Sequence, residues 1–97
     1  MRVNIAALRS AGVQAALDRY AEVARVLSGH ESARPEDGAT WVEQLCRDLE
    51  IPPLRAYGVR LADAPALAEK AAAANSMKAN PIGLRRDQLE ELIARAL

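Results

Sequence analysis

Apolar residues recur every three or four positions along nearly the whole chain, which is the spacing of one face of an α-helix. The clearest run comprises Val13, Leu17, Tyr20, Ala24 and Leu27. β-branched residues are scattered, and no Asn-Gly or Asp-Gly pair signals a hairpin. The pattern therefore predicts an all-α fold, a small bundle of five to six helices.

Glycine and proline divide this pattern into separate helices. A short helix over residues 3–8 ends near Ser10, and Gly12 separates it from a helix of about four turns that Gly29 ends. Residues 29–38 are polar, so we expect a loop there, with Pro35 suited to open the next helix. That third helix carries an apolar stripe of Trp41, Val42, Leu45, Cys46 and Leu49.

The second half of the chain predicts shorter elements. Pro52 and Pro53 stop the third helix, because proline cannot continue the hydrogen-bond ladder. One turn over residues 54–58 is followed by a helix that Asp63 caps and that extends to about Ala74. Residues 75–84 are predicted to be irregular. The last helix runs from residue 86 to the end, with an inward face of Leu89, Leu92, Ile93 and Ala96.

Length and charge restrict the class of protein. The 97 residues predict a single helical domain, residues 1–97. Thirteen basic and thirteen acidic residues give no net charge and no basic stripe, so we expect no nucleic-acid partner. No apolar run reaches the roughly 18 residues of a spanning helix, so we expect no membrane partner and a cytoplasmic protein.

Residues with catalytic or ligand chemistry are isolated from one another. His30 is the only histidine and is predicted to be a solvated loop residue, while Cys46 is predicted to be a small buried hydrophobe. The glycines form no phosphate-binding cluster. The acidic pairs Glu36-Asp37 and Glu90-Glu91 are typical of helix ends and solvent faces. We therefore predict no catalytic, cofactor-binding or metal-binding residue in this chain.

Several segments share motifs with one known family, among them residues 51–59, 63–74, 76–81 and 86–97. They resemble the C-terminal helical part of iron-containing alcohol dehydrogenases. Residues 51–59 (IPPLRAYGV) resemble the family's "IP..L...GV" segment, and residues 63–74 resemble its "D...LA..A" helix. Residues 76–81 (SMKANP) are similar to its "S.K.NP" loop, and residues 86–97 to its terminal helix. Residues 1–4 and 20–25 are similar to the "VM.FN" and "Y..IA" stretches. Where the family often has arginine after Asn-Pro, this chain has Ile82, so Arg85 or Arg86 would have to replace it.

The resemblance implies the C-terminal part of the dehydroquinate synthase-like fold of these dehydrogenases. The complete enzyme would use NAD(P) bound by an N-terminal dinucleotide-binding domain, and iron or zinc held by one aspartate and three histidines on other helices of its C-terminal domain. The resemblance places all of these before the matched region, so this chain would be inactive by itself. It implies that Ser76 and Met77 line the substrate cleft. It does not specify the substrate alcohol, the choice between NAD and NADP, or the metal.

Two functions stay open at this point. The first is a subdomain of a metal-dependent dehydrogenase, whose partner is the missing N-terminal domain. The second is a stand-alone helical module without catalysis that binds another copy of the chain as a homodimer. Sequence alone does not decide whether the chain is an enzyme.

Overall fold

The computed structural model describes residues 1–97, which form helices and no strand. Besides five α-helices, the chain has three short 3-10 helices, over Leu54–Tyr57, Leu61–Asp63 and Asn75–Ala79. The predicted all-α fold is therefore confirmed. None of these helices is both long and apolar enough to cross a membrane. The α-helices are α1 (Arg2–Ala11), α2 (Gln14–Ser28), α3 (Pro35–Asp48), α4 (Ala64–Ala73) and α5 (Arg86–Ala96).

Local chemistry sets the ends of the first helices. Gly12 ends α1 and Gly29 ends α2, both in the left-handed conformation at φ 69° and 73°, which glycine adopts without the steric cost of a Cβ. α3 begins at Pro35, where the Asp37 carboxylate accepts the backbone N–H of Arg34 at 2.7 Å. The predicted loop over residues 29–38 is thus too long, because this cap starts the helix before Gly38.

The chain divides into two compact units, Met1–Ile51 and Pro52–Leu97. A single domain over residues 1–97 stays a prediction, and each unit is described by itself. In the first unit α1, α2 and α3 pack together around side chains that are almost fully buried. The largest of these are Ile5, Leu8 and Leu17.

Small residues bring α2 and α3 into close contact. Gly38 lies opposite Ala24, and a Cβ atom built at Gly38 would stand 3.0 Å from the Ala24 Cβ and 3.1 Å from its Cα. This separation is shorter than ordinary van der Waals contact. Glycine at position 38 therefore permits the observed distance between the two helices.

The apolar side chains of α3 lie on two different lines. Pro35, Ala39, Val42 and Cys46 follow the helical period and form the line that is buried or half-buried. Trp41 and Leu45 lie beside that line and are each 38% exposed, and Leu49 is 63% exposed. The predicted single stripe is wrong for these three residues, and Cys46 is half-buried where we expected burial.

In the second unit α4 packs against α5. Ala64 and Ala68 of α4 contact Leu89 and Ile93 of α5, and alanine lets the two helices approach closely. Leu67, Met77 and Leu84 pack around this cluster while half-buried. Leu92 is 42% exposed, so its predicted inward position is wrong. The buried face of α5 runs through Leu89 and Ile93, and Leu92 precedes Ile93 in the sequence and lies to one side of that face.

Candidate functional site

The segment between α4 and α5 is more ordered than its composition predicts. Its first part is the 3-10 helix Asn75–Ala79, which begins directly after the α4 cap residue Ala74. The side-chain amide of Asn80 then donates to the carbonyl of Ile82 at 2.7 Å, which stabilises the following turn. The prediction of an irregular segment is thus wrong for residues 75–79.

A small pocket lies where this segment meets α4 and α5. Its volume is about 170 Å³. The predicted cleft residue Met77 lines it, whereas Ser76 is exposed and does not line it. Whether either residue contacts a substrate stays a prediction. The residues that line the pocket are Ala72, Met77, Lys78, Gly83, Leu84 and Leu89.

Sequence reasoning missed most of this lining. Lys78 follows Met77 directly, so its place in the pocket could have been inferred from the same loop. Leu84 and Leu89 could not, because they come from the far side of the turn and from α5. Only the packing of α5 on α4 brings these two leucines to Met77.

Two arginines near the site are engaged elsewhere. Arg85 pairs with Asp87 at 2.9 Å, and hydrogen bonding from its guanidinium lowers the pKa of the Asp87 carboxyl. Arg86 pairs with Glu90 at 3.1 Å, one turn along α5. Both guanidinium groups therefore stabilise the start of α5. Their replacement of the family's arginine after Asn-Pro stays a prediction.

The acidic pairs behave as helix-surface charges. Asp37 caps α3, and Glu36 accepts hydrogen bonds from Arg9. Glu90 and Glu91 pair with Arg86 and Arg95 along α5. None of these carboxylates faces another across a cleft as an acid–base pair would.

A larger pocket, of about 510 Å³, lies in the first unit between the end of α2 and the start of α3. Exposed His30 lines it, as do Ser28, Asp37 and Thr40. The Ser28 hydroxyl donates to the Ala24 carbonyl at 2.7 Å, and the Thr40 hydroxyl to the Glu36 carbonyl at 3.1 Å. The Asp37 carboxylate caps α3, so three of these four polar side chains, all but His30, already bond to the backbone of their own helices. We therefore take the smaller pocket as the candidate site.

The donor groups of this chain do not fit a metal ion. No three His, Cys, Asp or Glu side chains lie close enough together to hold one. His30 and Cys46, the residues with the strongest ligand chemistry, belong to no such group. We accordingly derive no step of a reaction through a metal bound to these residues.

Comparison with known proteins identifies the family. The family model described as "Fe-containing alcohol dehydrogenase family, C-terminal" matches residues 1–97. The chain belongs to the iron-containing alcohol dehydrogenase family. Searches of curated proteins and of solved structures gave no match. The match covers both units of this dehydrogenase-family chain, so the Met77 pocket lies within the C-terminal region of the family.

Proposed function

We propose that this chain forms part of the substrate-cleft wall of an NAD(P)-dependent alcohol dehydrogenase. The observation that carries the proposal is the family match over residues 1–97. Enzymes of this kind transfer a hydride between an alcohol and a nicotinamide cofactor, and the cofactor supplies that chemistry. The nucleotide-binding domain and the iron or zinc site would be contributed by residues other than these 97. The whole enzyme would work in the cytoplasm.

Within that enzyme the chain would contact the alkyl part of the alcohol. Met77, Leu84 and Leu89 give the small pocket an apolar lining. Such a lining excludes water from around a hydrocarbon group and favours its burial. The pocket would thereby hold the alcohol next to the cofactor without supplying a reacting group.

Substitution of Met77 tests this role in the enzyme assembled from this chain and the preceding region of a family member, which comprises the dinucleotide-binding domain and the metal-ligand helices. Met77→Ala removes apolar contact with the substrate, so we expect KM for the alcohol to rise about tenfold, with a smaller change in kcat. Leu92→Ala is the matched control, because Leu92 is exposed on α5 and does not line the pocket. Steady-state rates of NAD(P)H formation give both constants. An unchanged KM in a folded Met77→Ala enzyme would contradict the proposal.

One observation favours the alternative, a self-associating helical module. Large apolar side chains are exposed in each unit, including Val26 at 83% in the first and Tyr57 at 71% and Leu61 at 65% in the second. Exposed apolar side chains favour contact with another surface where they form a contiguous patch. In this alternative the surface belongs to another copy of the chain.

A further inference from the structure

The pocket beside Met77 has one charged side chain in its lining. Ala72, Gly83, Leu84 and Leu89 contribute apolar atoms, and Lys78 contributes a flexible stem that ends in an ammonium group. An apolar pocket with a few polar groups at its edge is the usual form of a small-molecule site. Lys78 is then the group that would discriminate between ligands by charge.

The ammonium group of Lys78 is not engaged with a carboxylate of the protein. The ion pairs of the second unit join Arg60 to Asp63, Arg85 to Asp87, Arg86 to Glu90 and Arg95 to Glu91. These pairs occupy four of the five carboxylate side chains in that unit, and the fifth, Glu69, forms no ion pair with Lys78. Lys78 therefore remains available to an anion brought by a ligand.

The pocket volume limits the length of that ligand. At about 170 Å³ the pocket is smaller than the roughly 300–1,000 Å³ that is typical of sites for drug-sized molecules. A pocket of this volume has room for a short aliphatic chain. A longer chain or a ring system would extend into solvent, and the part in solvent would bury no further apolar surface.

We propose that this pocket binds short aliphatic molecules that carry a carboxylate, with the chain against Met77 and Leu84 and the carboxylate at Lys78. One step rests on the proposed function: the identification of the bound molecule as the substrate of the dehydrogenase. The substrate class is then a short hydroxy acid, or the corresponding oxo acid in the reverse direction. Lys78 is the specificity-determining residue, and it takes no part in hydride transfer.

Two probes of matched length test the binding step on the chain as it stands. Butyrate and butan-1-ol are titrated separately at low salt, and the amide NMR signals of residues 72–89 are followed. We expect butyrate to bind about twofold to fivefold more tightly than butan-1-ol, which is the effect of one solvent-accessible ion pair. Because salt screens such a pair, the preference should decrease as the ionic strength rises.

Lys78→Met keeps an unbranched side chain, one atom shorter, and removes its charge, so butyrate should then bind no more tightly than butan-1-ol. Lys70→Met is the matched control, since Lys70 lies on α4 of the same unit outside the pocket lining, and the butyrate preference should persist. Equal binding of the two probes to the unaltered chain, no binding of either, or a preference that survives Lys78→Met would overturn the proposal.

The experiments distinguish an error in the pocket proposal from an error in the proposed function. If butyrate binds at Lys78 but the assembled enzyme oxidises neither hydroxy acids nor simple alcohols, the pocket assignment stands and the proposed function is wrong. If the enzyme oxidises alcohols but Lys78→Met leaves its ratio of kcat/KM for a hydroxy acid and a neutral alcohol unchanged, the proposed function stands and Lys78 does not determine specificity.

Discussion

Glu36 and Arg9 join α3 to α1 through an ion pair with two hydrogen bonds, one of them 2.8 Å long. Hydrogen bonding from Arg9 lowers the pKa of the Glu36 carboxyl from 4.5 to about 2. Half of the Arg9 side chain is exposed, so water and salt screen the pair. The pair therefore contributes to the free energy of unfolding as a surface ion pair does, and by much less than the lowered pKa of Glu36 would imply.

At neutral pH, Glu36→Gln should lower the free energy of unfolding of the first unit by about 1 kcal/mol or less. The folded-state pKa lies below the unfolded value, so the contribution is complete above about pH 5 and is lost as pH falls from 4.5 towards 2. Urea unfolding followed by the fluorescence of Trp41, the only tryptophan, measures this unit. The difference between the two proteins should shrink across that pH range.

Glu31→Gln is the control, because Glu31 is exposed in the loop before α3 and forms no ion pair. It should leave the unfolding curve unchanged at every pH. A loss of stability in Glu36→Gln that is the same at pH 2 and pH 7 would show that the charge of Glu36 is not its source.

At the scale of elements, the contact between α2 and α3 depends on Gly38. Gly38→Ala would place a methyl group 3.0 Å from the Ala24 Cβ, so the two helices must separate by a few tenths of an ångström. Alanine also gains about 1 kcal/mol of helix propensity over glycine, which offsets part of that cost. We expect a net loss of about 1 kcal/mol in the free energy of unfolding, read from Trp41 fluorescence in urea.

A double-mutant cycle checks that the loss comes from this contact. Ala24→Gly removes the methyl group opposite position 38, so the cost of Gly38→Ala should be smaller in the Ala24→Gly background. Strictly additive effects would mean that the two residues do not interact. A Gly38→Ala protein more stable than the original would mean that propensity outweighs packing.

The sequence predicted helices wherever local chemistry decides. Gly12, Gly29 and Pro35 mark observed ends because their backbone preferences act within a few residues. Asp63 was predicted to cap α4, but its carboxylate instead accepts the N–H of Arg60 at 2.9 Å and caps the preceding 3-10 turn. Local spacing does not distinguish the two caps, which are one turn apart.

Burial was harder to predict than helix formation. Trp41, Leu45 and Leu92 have the spacing of inward residues, yet each is more than a third exposed. Which of two adjacent apolar lines is buried depends on the partner helix, and on α3 the small residues Gly38 and Ala39 face the core. The site shows the same limit, since Met77 could be proposed from its loop while Leu89 required the packing of α5 on α4.

At the scale of the whole molecule, each of the two units has its own packed helices. The short motifs shared with the family fall in both units, and the family match covers both units together. Around residues 71–81 the exposed apolar side chains are small, with Ala72, Ala73 and Ala79 among them. The large apolar side chains with the highest exposed fractions, Val26 and Tyr57, lie elsewhere.

The central claim is that the chain is the cleft-forming, catalytically incomplete part of a dehydrogenase. Its most direct test is NAD(P)H formation from a short alcohol in three preparations: the chain alone, the preceding region of a family member alone, and the two co-expressed. That preceding region comprises the dinucleotide-binding domain and the metal-loaded helices that carry the metal ligands. We predict turnover only for the co-expressed pair, which should also co-purify. Turnover by the chain alone, or a discrete dimer of the chain that does not bind that preceding region, would contradict the claim, and the dimer would support the self-associating module.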